Sequence, residues 1–385
     1  MLHDVLRRNE LAGRNSYYTR QLEQMWRDHT GARFSIATVS GTAALTLAVR
    51  ALKAEPGDEV VVPAFTFAAS ALAILHAGLI PRFCDVKPRT YCVDFTSAET
   101  VVNDRTRAIM IVHLNGVPAD MSDARQFAVK HDLPIIEDAC QAHGGRWKGQ
   151  RVGNLGFAGA FSFNRTKSLP AGEGGMFITS SEDAYRTALA AYQFGELPFT
   201  SDEDRSYHSV QMGWMFRPTE FVTALAAHRM SCLDDWIATR RTNHKTLTGL
   251  LQDVDSITVQ EVPTAAQPSF WRYAFTLSGD LARNPVVCSR LIAMLQAAGI
   301  RSSRWQNRVL PDHQVFTNGY GSGCPWSCHH RPSSAHAETP NARELARTMI
   351  WLEDVIAPTN GETQVSQVAD AIRTSIKKAQ TKASR

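Results

Sequence analysis

The 385-residue sequence predicts an α/β protein with a large unit built on a mostly parallel sheet and a smaller C-terminal α+β unit. Length is the first reason, because a single hydrophobic core rarely grows beyond about 250–300 residues. The second reason is that short β-branched runs alternate with segments of helical period between about residues 40 and 180. Strand and helix patterns mix less regularly nearer the C-terminus. We therefore predict a large unit at 1–230 and a small unit at 231–385.

Short apolar runs predict the strands of the large unit, in the order DEVVVPAF, LIPRFCDV, RAIMIVHL, LPIIEDA, GAFSF and GGMFIT. Between several of them lie segments of helical period: GTAALTLAVRALKA, FAASALAILHAG and MSDARQFAVKHD. Strands that are apolar along their whole length are buried on both faces, which indicates a parallel sheet covered by helices. Ligands of such sheets bind just beyond the carboxyl ends of the strands, so functional residues are expected there.

A segment without a helix breaker runs from Pro218 to Leu251 and predicts one long helix across the junction of the two units. Beyond it, QPSFWRYAFTLSG, SRLIAMLQAAGI and ARELARTMIWLE mix strand and helix patterns. These segments predict the smaller α+β unit.

The composition is that of an ordinary globular protein, with 44% apolar and 20% charged residues. Its basic C-terminal cluster, RTSIKKAQTKASR, is better explained by a solvated helix than by nucleic-acid binding. The sequence has neither an apolar run long enough to span a membrane nor a signal-peptide core at its N-terminus. Its seven scattered cysteines favour reduced thiols in the cytoplasm.

One cluster of cysteine and histidine needs separate treatment as an alternative metal site. The segment GCPWSCHHRP contains Cys324, Cys328, His329 and His330. Its spacing is C-x₃-C rather than C-x₂-C, a second ligand pair does not follow, and it differs from the haem signature C-x-x-C-H. We predict a Gly/Pro-rich loop here and no bound metal.

Polar residues follow two of the predicted strands. In TVSGTAALTLAV, Ser40, Gly41 and Thr42 begin a helix, where free N–H groups and the helix dipole favour an anion; a plain cap is the alternative. Asp138 ends the strand LPIIED. A buried carboxylate there is costly unless a cation meets it, although it also could cap the next helix.

A lysine follows a third strand, at the same rim of the sheet. In FSFNRTKSLPAGEGG, Lys167 lies just past the strand that contains Ser162, and the glycine-rich turn leads the chain back into the next strand. A lone loop lysine is usually a surface residue. An anion site, an acid and a lysine together, however, are what pyridoxal phosphate needs for its phosphate, its pyridinium nitrogen and its imine.

Two further features favour that cofactor. Phe67, in PAFTFAAS, follows another strand and offers an aromatic face for the cofactor ring. A nicotinamide cofactor fits less well, because the sequence has no G-x-G-x-x-G between a strand and a helix.

Six segments in order resemble the DegT/DnrJ/EryC1/StrS family, which are pyridoxal-phosphate aminotransferases of keto-sugars and keto-cyclitols. They are SGTAALTLAV, PAFTFAASALAILHAGLIPRFCDV, HLNGVPADM, IIEDACQAHGGRWKGQRVG, FSFNRTKSLPAGEGG and MGWMFRPTEF. The resemblance runs from about Val5 to the C-terminus. It implies a type I, aspartate aminotransferase-like fold that works as a homodimer.

The resemblance also implies roles for individual residues. Lys167 would form the imine with pyridoxal phosphate, and Asp138 would face the ring nitrogen. Gln141 would approach the ring's phenolic oxygen, and Phe67 would stack on the ring. The phosphate would be held by Gly41, Thr42 and Ser162.

The same resemblance implies the reaction. Related dehydratases carry histidine in place of the lysine, so the presence of Lys167 favours transamination. The expected donor is glutamate or glutamine, and the expected acceptor is a keto-sugar, often nucleotide-linked, or a keto-cyclitol of secondary metabolism or surface polysaccharide synthesis. The loop Tyr320–Pro332 is a candidate lid or specificity loop. Elimination or aromatisation on the same scaffold, and a non-catalytic partner subunit, remain alternatives.

Two departures from the family pattern matter. Family members usually read GYNYRM, with an asparagine that reaches the partner's phosphate, whereas this chain reads GWMFRP with Met215 in that place. Methionine cannot donate a hydrogen bond, so weaker cofactor retention is expected. The family also usually has a further stretch before the segment VLRRNELAG, so we expect either that the start is truncated or that an N-terminal contact at the active site is missing.

Overall fold

The computed structural model describes residues 1–197, 205–317 and 337–383. The helices are α1 (Leu2–Arg8), α2 (Tyr17–Thr30), α3 (Gly41–Arg50), α4 (Ala68–His76), α5 (Phe95–Glu99), α6 (Met121–His131), α7 (Glu182–Tyr192), α8 (Glu220–Met230), α9 (Leu233–Leu250), α10 (Gly279–Arg283), α11 (Pro285–Ala297), α12 (Gln314–Thr317), α13 (Pro340–Thr348) and α14 (Glu362–Ala383). The strands are β1 (Phe34–Thr38), β2 (Glu59–Pro63), β3 (Ile80–Cys84), β4 (Thr106–Val112), β5 (Ile135–Asp138), β6 (Arg146–Trp147), β7 (Gln150–Arg151), β8 (Ala158–Ser162), β9 (Gly175–Thr179), β10 (Ile257–Val259), β11 (Ala266–Gln267), β12 (Tyr273–Leu277), β13 (Ser302–Ser303) and β14 (Met349–Leu352).

The large sheet has seven strands in the order β1-β9-β8-β5-β4-β2-β3. The pairs from β8 to β3 are parallel, whereas β9 pairs antiparallel with both β1 and β8. The mostly parallel sheet predicted from the sequence is therefore confirmed, together with all of its predicted strands. Strand β1 is an addition to the prediction, and it closes one edge of the sheet.

Burial on both faces explains the apolar strands. In β2, Val60 and Val62 face the core that α3 and α4 cover, whereas Val61 faces the core that α2, α6 and α8 cover. Side chains alternate between the two faces of a strand, so a strand with a core on each side is apolar at every position. The sheet is thus the middle layer of three, and the ends of its strands are the places where polar residues reach a surface.

The predicted single helix from Pro218 to Leu251 is wrong, because the chain forms α8 and α9 with a break at Ser231 and Cys232. The Ser231 hydroxyl donates to the carbonyl of His228 at 2.7 Å, which competes with continuation of the helix. Asp234 lies in the first turn of α9, where the helix dipole favours a carboxylate.

The small unit is built on an antiparallel sheet in the order β10-β12-β14-β13. The segments predicted there form β12, α11, α13 and β14, and α9 packs against α14. Strand β11 pairs with β6 of the large unit, so the two units are joined by backbone hydrogen bonds. The boundary at residue 230 stays a prediction.

Several predictions concern chemistry outside the sheet. Within the described ranges, all helices are too short or too polar to cross a membrane. The described cysteines are free thiols: Cys84, Cys92, Cys140, Cys232 and Cys288. The candidate lid Tyr320–Pro332 and the Cys/His cluster at 324–330 lie outside the described residues.

Candidate active site

The start of α3 forms a tight anion cradle against the end of β8. Ser40 caps the helix by accepting from the Ala43 N–H at 3.1 Å. A Cβ added to Gly41 would lie 2.6 Å from the Ser162 Cβ, so only glycine fits between the helix and the strand. The free N–H groups of this first turn lie beside the hydroxyls of Thr42 and Ser162. These groups are suited to bind a phosphate.

Asp138 ends β5 with its carboxylate in the same cavity, and the residue is 6% exposed. The Ser70 hydroxyl donates to Oδ2 at 2.7 Å, and the Cys140 N–H donates to Oδ1 at 3.1 Å. Among the described residues, none forms an ion pair with it. A buried carboxylate that lines a cavity without a cation beside it favours a cationic ligand group, and a protonated ring nitrogen would supply one.

Gln141 presents a hydrogen-bond donor to the cavity. Its side-chain Oε1 accepts from the Asn115 N–H at 2.8 Å, which leaves the Nε2 amide free to donate to an oxygen of a bound ring. Asn115 has a positive φ of 58°, and its side chain joins the small unit by accepting from Trp351 Nε1 at 2.9 Å. The orientation of Gln141 is therefore fixed by a contact that motif spacing does not reveal.

Lys167 projects into the cavity from the loop after β8. The backbone N–H of Lys167 donates to the Asn164 carbonyl at 2.9 Å. The Asn164 side-chain Nδ2 in turn donates to Glu173 Oε1 at 3.0 Å. Glu173 thus braces the turn that carries the lysine. Burial lowers the pKa of Lys167, although the nearby Asp138 opposes this shift. A lower pKa leaves more of the amine neutral and nucleophilic near neutral pH.

Three tryptophans from the small unit complete the cavity, and sequence reasoning missed them. Trp271 and Trp351 meet edge to face at 4.8 Å, and Trp305 lies 5.0 Å from Trp351 and 6.5 Å from Phe67 in a near-parallel stack. The indole N–H of Trp271 donates to the Thr166 carbonyl at 2.5 Å. The single tryptophans in QPSFWRYAF and GIRSSRW were the available sequence signal, but the sequence does not show that their side chains point toward the cavity.

The structure brings all the predicted site residues to one cavity of about 370 Å³. They are Gly41, Thr42, Phe67, Asp138, Gln141, Ser162 and Lys167. Phe67 is 53% exposed, with its ring available for stacking. Met215 does not line this cavity; it is 52% exposed and pairs through its backbone with Gln193.

A second cavity of about 590 Å³ lies on the other side of Lys167. It is lined by several arginines, of which Arg240 and Arg272 are 7% and 4% exposed. Arg272 pairs with Asp354 at 3.0 Å, whereas Arg240 has no carboxylate partner among the described residues. Burial lowers the pKa of Arg240 to about 10, and Arg272 adds to the shift. These arginines were also missed, because neither follows a strand of the large sheet.

The donor set fits pyridoxal phosphate. The glycine-dependent cradle suits its phosphate, the unpaired Asp138 suits its ring nitrogen, and the Gln141 amide suits its phenolic oxygen. Lys167 lines the same cavity and suits a covalent bond to its aldehyde. Clusters of side chains that could hold a metal ion are absent from the described parts of the chain.

Curated relatives include aminotransferases of cyclitols and sugars. The chain is 35% identical over 263 residues to L-glutamine:2-deoxy-scyllo-inosose aminotransferase of Streptomyces lividus, covering 67% of this chain and 62% of that protein. It is 32% identical over 345 residues to UDP-N-acetyl-3-dehydro-alpha-D-glucosamine 3-aminotransferase of Acidithiobacillus ferrooxidans, covering 89% and 85%. Matches to the first four curated relatives span 48% to 62% of those proteins.

Solved structures share the whole fold. The crystal structure of 3-amino-5-hydroxybenzoic acid synthase aligns with a TM-score of 0.86 at 27% identity, over 98% of this chain and 95% of that one. The aminotransferase from Psychrobacter cryohalolentis aligns with a TM-score of 0.86 at 26% identity, over 98% and 96%. The type I fold expected from the resemblance is thereby confirmed. Together with a family model that matches residues 1–373, these similarities establish that the chain belongs to the DegT/DnrJ/EryC1/StrS aminotransferase family.

Proposed function

We propose that this protein is a pyridoxal-phosphate aminotransferase that moves an amino group from glutamate or glutamine to a keto-sugar or keto-cyclitol. The observation that carries the proposal is the convergence of Lys167, the unpaired Asp138 and the cradle at Gly41 on one cavity. The names of the cyclitol and sugar aminotransferases among its relatives support the same acceptor class.

When bound, pyridoxal phosphate supplies an electron-accepting ring that stabilises a carbanion next to the transferred nitrogen. Asp138 would keep the ring nitrogen protonated, which makes the ring a better electron acceptor. Ser70 and the Cys140 N–H hold the carboxylate in place for this role. Gln141 would donate to the phenolic oxygen and stabilise its charged form.

Lys167 would hold the cofactor covalently and, once an incoming amine releases it, carry the proton. Its depressed pKa favours the neutral amine, which can act as a general base at the donor α-carbon. The resulting ammonium could then act as the acid at the carbon of the cofactor's aldehyde, on the other side of the transferred nitrogen. The Trp271, Trp305 and Trp351 walls would exclude water during these proton transfers.

The direct test is reductive trapping. The purified protein is incubated with pyridoxal phosphate, treated with borohydride and digested, and the modified lysine is located by mass spectrometry. We expect the adduct on Lys167, together with transfer of ¹⁵N from the labelled α-amino group of glutamine or glutamate to a cyclic ketone. An absent adduct, or turnover of common α-keto acids without any cyclic ketone, would contradict the proposal.

The second cavity supports an acceptor that carries negative charge, such as a nucleoside-diphosphate-linked keto-sugar. Arg240 is a buried guanidinium without a carboxylate partner among the described residues, and such a group favours an anion beside it. We expect R240Q to raise the KM for a nucleotide-linked keto-sugar about tenfold or more while the KM for glutamine stays unchanged. R241Q is the matched control, because Arg241 binds the Pro268 carbonyl outside this cavity. If R240Q left the KM for a nucleotide-linked keto-sugar unchanged, Arg240 would not bind the charge of the acceptor. That result would favour a neutral keto-cyclitol as the acceptor.

The homodimer and the cytoplasmic location also belong to the proposal. The exposed apolar side chains Tyr207, Val210, Met212 and Met215 lie on one segment near the cradle, since the Val39 N–H bonds the Phe216 carbonyl. This segment suits a second copy of the chain. The described free thiols, four of which are buried, support a reducing compartment. Sedimentation analysis should give a dimer that M215D weakens, and a monomer in the wild type would contradict this part.

Aromatisation is the second candidate function. The chain is 32% identical over 327 residues to 3-amino-5-hydroxybenzoate synthase of Amycolatopsis mediterranei, covering 80% of this chain and 83% of that protein. The lysine, acid and cradle are equally compatible with loss of water from a ring. Product analysis with labelled donor separates the two, because aromatisation gives an unsaturated ring without nitrogen transfer. A protein that binds no cofactor after reconstitution would instead favour a non-catalytic partner subunit.

A further inference from the structure

The ammonium of Lys167 lies over the face of Trp271. The Nζ is 3.9 Å from the ring centroid, well inside the range in which the negative face of an indole attracts a cation. Trp271 is 3% exposed, so water competes little for this contact. The indole therefore offers the lysine a definite resting place inside the cavity.

The same indole also holds the backbone of the lysine loop. Its N–H donates to the carbonyl of Thr166, the residue directly before the lysine, at 2.5 Å. The Trp271 side chain thus makes two contacts, one with the Lys167 Nζ and one with the backbone carbonyl of the preceding residue. Two contacts from one rigid ring restrict the lysine more than either would alone.

Trp271 is itself anchored to both units. Its backbone N–H donates to the Asn115 carbonyl of the large unit at 2.8 Å, and its backbone carbonyl accepts from the Arg240 guanidinium at 3.3 Å. Its ring meets Trp351 of β14 edge to face. A platform fixed in this way keeps its position while the lysine changes its bonding state.

The arrangement matters because Lys167 lines both cavities. A lysine released from its cofactor could turn toward the cradle or toward the arginine-lined side. The arginine-lined side carries Arg240 and Arg272, which repel an ammonium, and also Asp235, Glu353 and Asp354, which attract it. Trp271 lines only the cavity that contains the cradle, so its ring face favours the cradle side.

We propose that Trp271 is a positioning residue for Lys167, whose ring face receives the ammonium whenever the lysine is not bonded to the cofactor and whose N–H fixes the lysine loop. The inference rests on the proposed covalent role of Lys167. It adds that a residue of the small unit sets where the freed amine waits.

The test measures the protonation of Lys167 in the full-length, cofactor-free protein, by competitive amine labelling at a series of pH values. Asp138, Cys140 and Arg272 also act on this lysine, and all three are retained in every variant. W271L removes the attraction for the charged form, so the labelling midpoint should fall by about one pH unit. W271F keeps an aromatic face and should stay near the wild-type midpoint, while hydrogen exchange at the Lys167 amide becomes faster because the bond to Thr166 is lost.

A tetrafluorinated tryptophan at position 271 separates the loss of the cation–π attraction from a folding defect. It keeps the shape and the N–H of tryptophan but reduces the negative charge on the ring face. It should lower the midpoint as W271L does. W147F changes a buried tryptophan that lines neither cavity, and its midpoint should match the wild type. An unchanged midpoint in both the W271L and fluorinated proteins, or an equal fall in W147F, would overturn the inference. Reductive trapping on Lys167 in the wild type checks the proposed function separately.

Discussion

At the scale of single residues, the site depends on charges that the protein leaves unbalanced. Asp138 is buried and hydrogen-bonded but lacks a cation among the described residues, and Arg240 is buried without a described anion. Elsewhere in the described chain Arg82 is paired with Glu59 at 3.3 Å, whereas the buried carboxylates of Glu220 and Asp85 are held by hydrogen bonds alone. Uncompensated buried charge costs stability, and Asp138 and Arg240 differ from those two carboxylates because each lines a cavity that a ligand could fill.

Asp138→Asn tests the acid. Asparagine keeps the size and much of the hydrogen bonding but cannot hold a proton on the cofactor's ring nitrogen. We expect kcat to fall about 100-fold or more, measured with saturating donor and acceptor.

The control for this change is Asp120→Asn, which replaces the cap of α6 by another good capping residue away from the site. It should leave kcat unchanged. Wild-type kcat in D138N would show that the carboxylate does not act on the ring nitrogen.

At the scale of elements, function depends on how closely α3 approaches β8. Gly41 opens the helix where the Ser162 Cβ leaves no room for another side chain. Ser40 ends the irregular segment before it, and its cap fixes where the helix begins. The anion cradle is therefore a property of two packed elements and not of the SGT sequence alone.

Gly41→Ala tests the cradle. The added methyl would meet Ser162 at 2.6 Å and push α3 away from β8. We expect the Kd for pyridoxal phosphate, measured by absorbance titration, to rise about tenfold or more.

Gly249→Ala serves as the matched control, because nothing lies within 4 Å of a Cβ added at this position in α9. It should leave the Kd unchanged and raise the melting temperature slightly, since alanine favours the helix. Equal cofactor affinity in G41A and wild type would show that the phosphate lies elsewhere.

At the scale of the whole molecule, buried histidines in both units make the stability depend on pH. His244 is 8% exposed and stacks on Phe270 at 3.6 Å, and burial lowers its pKa to about 3. His143 is completely buried, and its pKa is likewise lowered to about 3. Unfolded histidine has a pKa near 6.5, so the unfolded chain binds more protons between about pH 3 and pH 6.5.

The stability of the protein should therefore fall as the pH falls below about 6.5, and His244→Gln tests the origin of the loss. Each buried neutral histidine removes on the order of 1.4 kcal/mol of unfolding free energy per pH unit inside that window. H244Q should reduce the loss between pH 6.5 and 5, measured by urea unfolding, by about 1–2 kcal/mol. H76Q, at an exposed position, should leave the pH dependence as in the wild type. An identical slope in H244Q and wild type would contradict the assignment.

The sequence predicted those features that depend on local pattern. Apolar runs specified the strands, helical period specified α3, α4 and α6, and the strand ends pointed to Asp138 and Lys167. It failed at Ser231 and Cys232, where a side-chain hydrogen bond and a new helix start interrupt the helix although neither glycine nor proline lies next to the break. Such a break depends on tertiary packing, because the local pattern there is compatible with a continuous helix.

By itself the sequence determined the sheet, the order of its strands along the chain, and the lysine, acid and cradle at its rim, because strand ends place these residues together whatever surrounds them. Only the tertiary structure decided how the side chains of the site are oriented. Trp271 meets Lys167 across more than one hundred positions of sequence, and Asn115 turns the Gln141 amide toward the cavity. Contacts between two separately folded units depend on how those units pack, and sequence spacing carries no record of that packing.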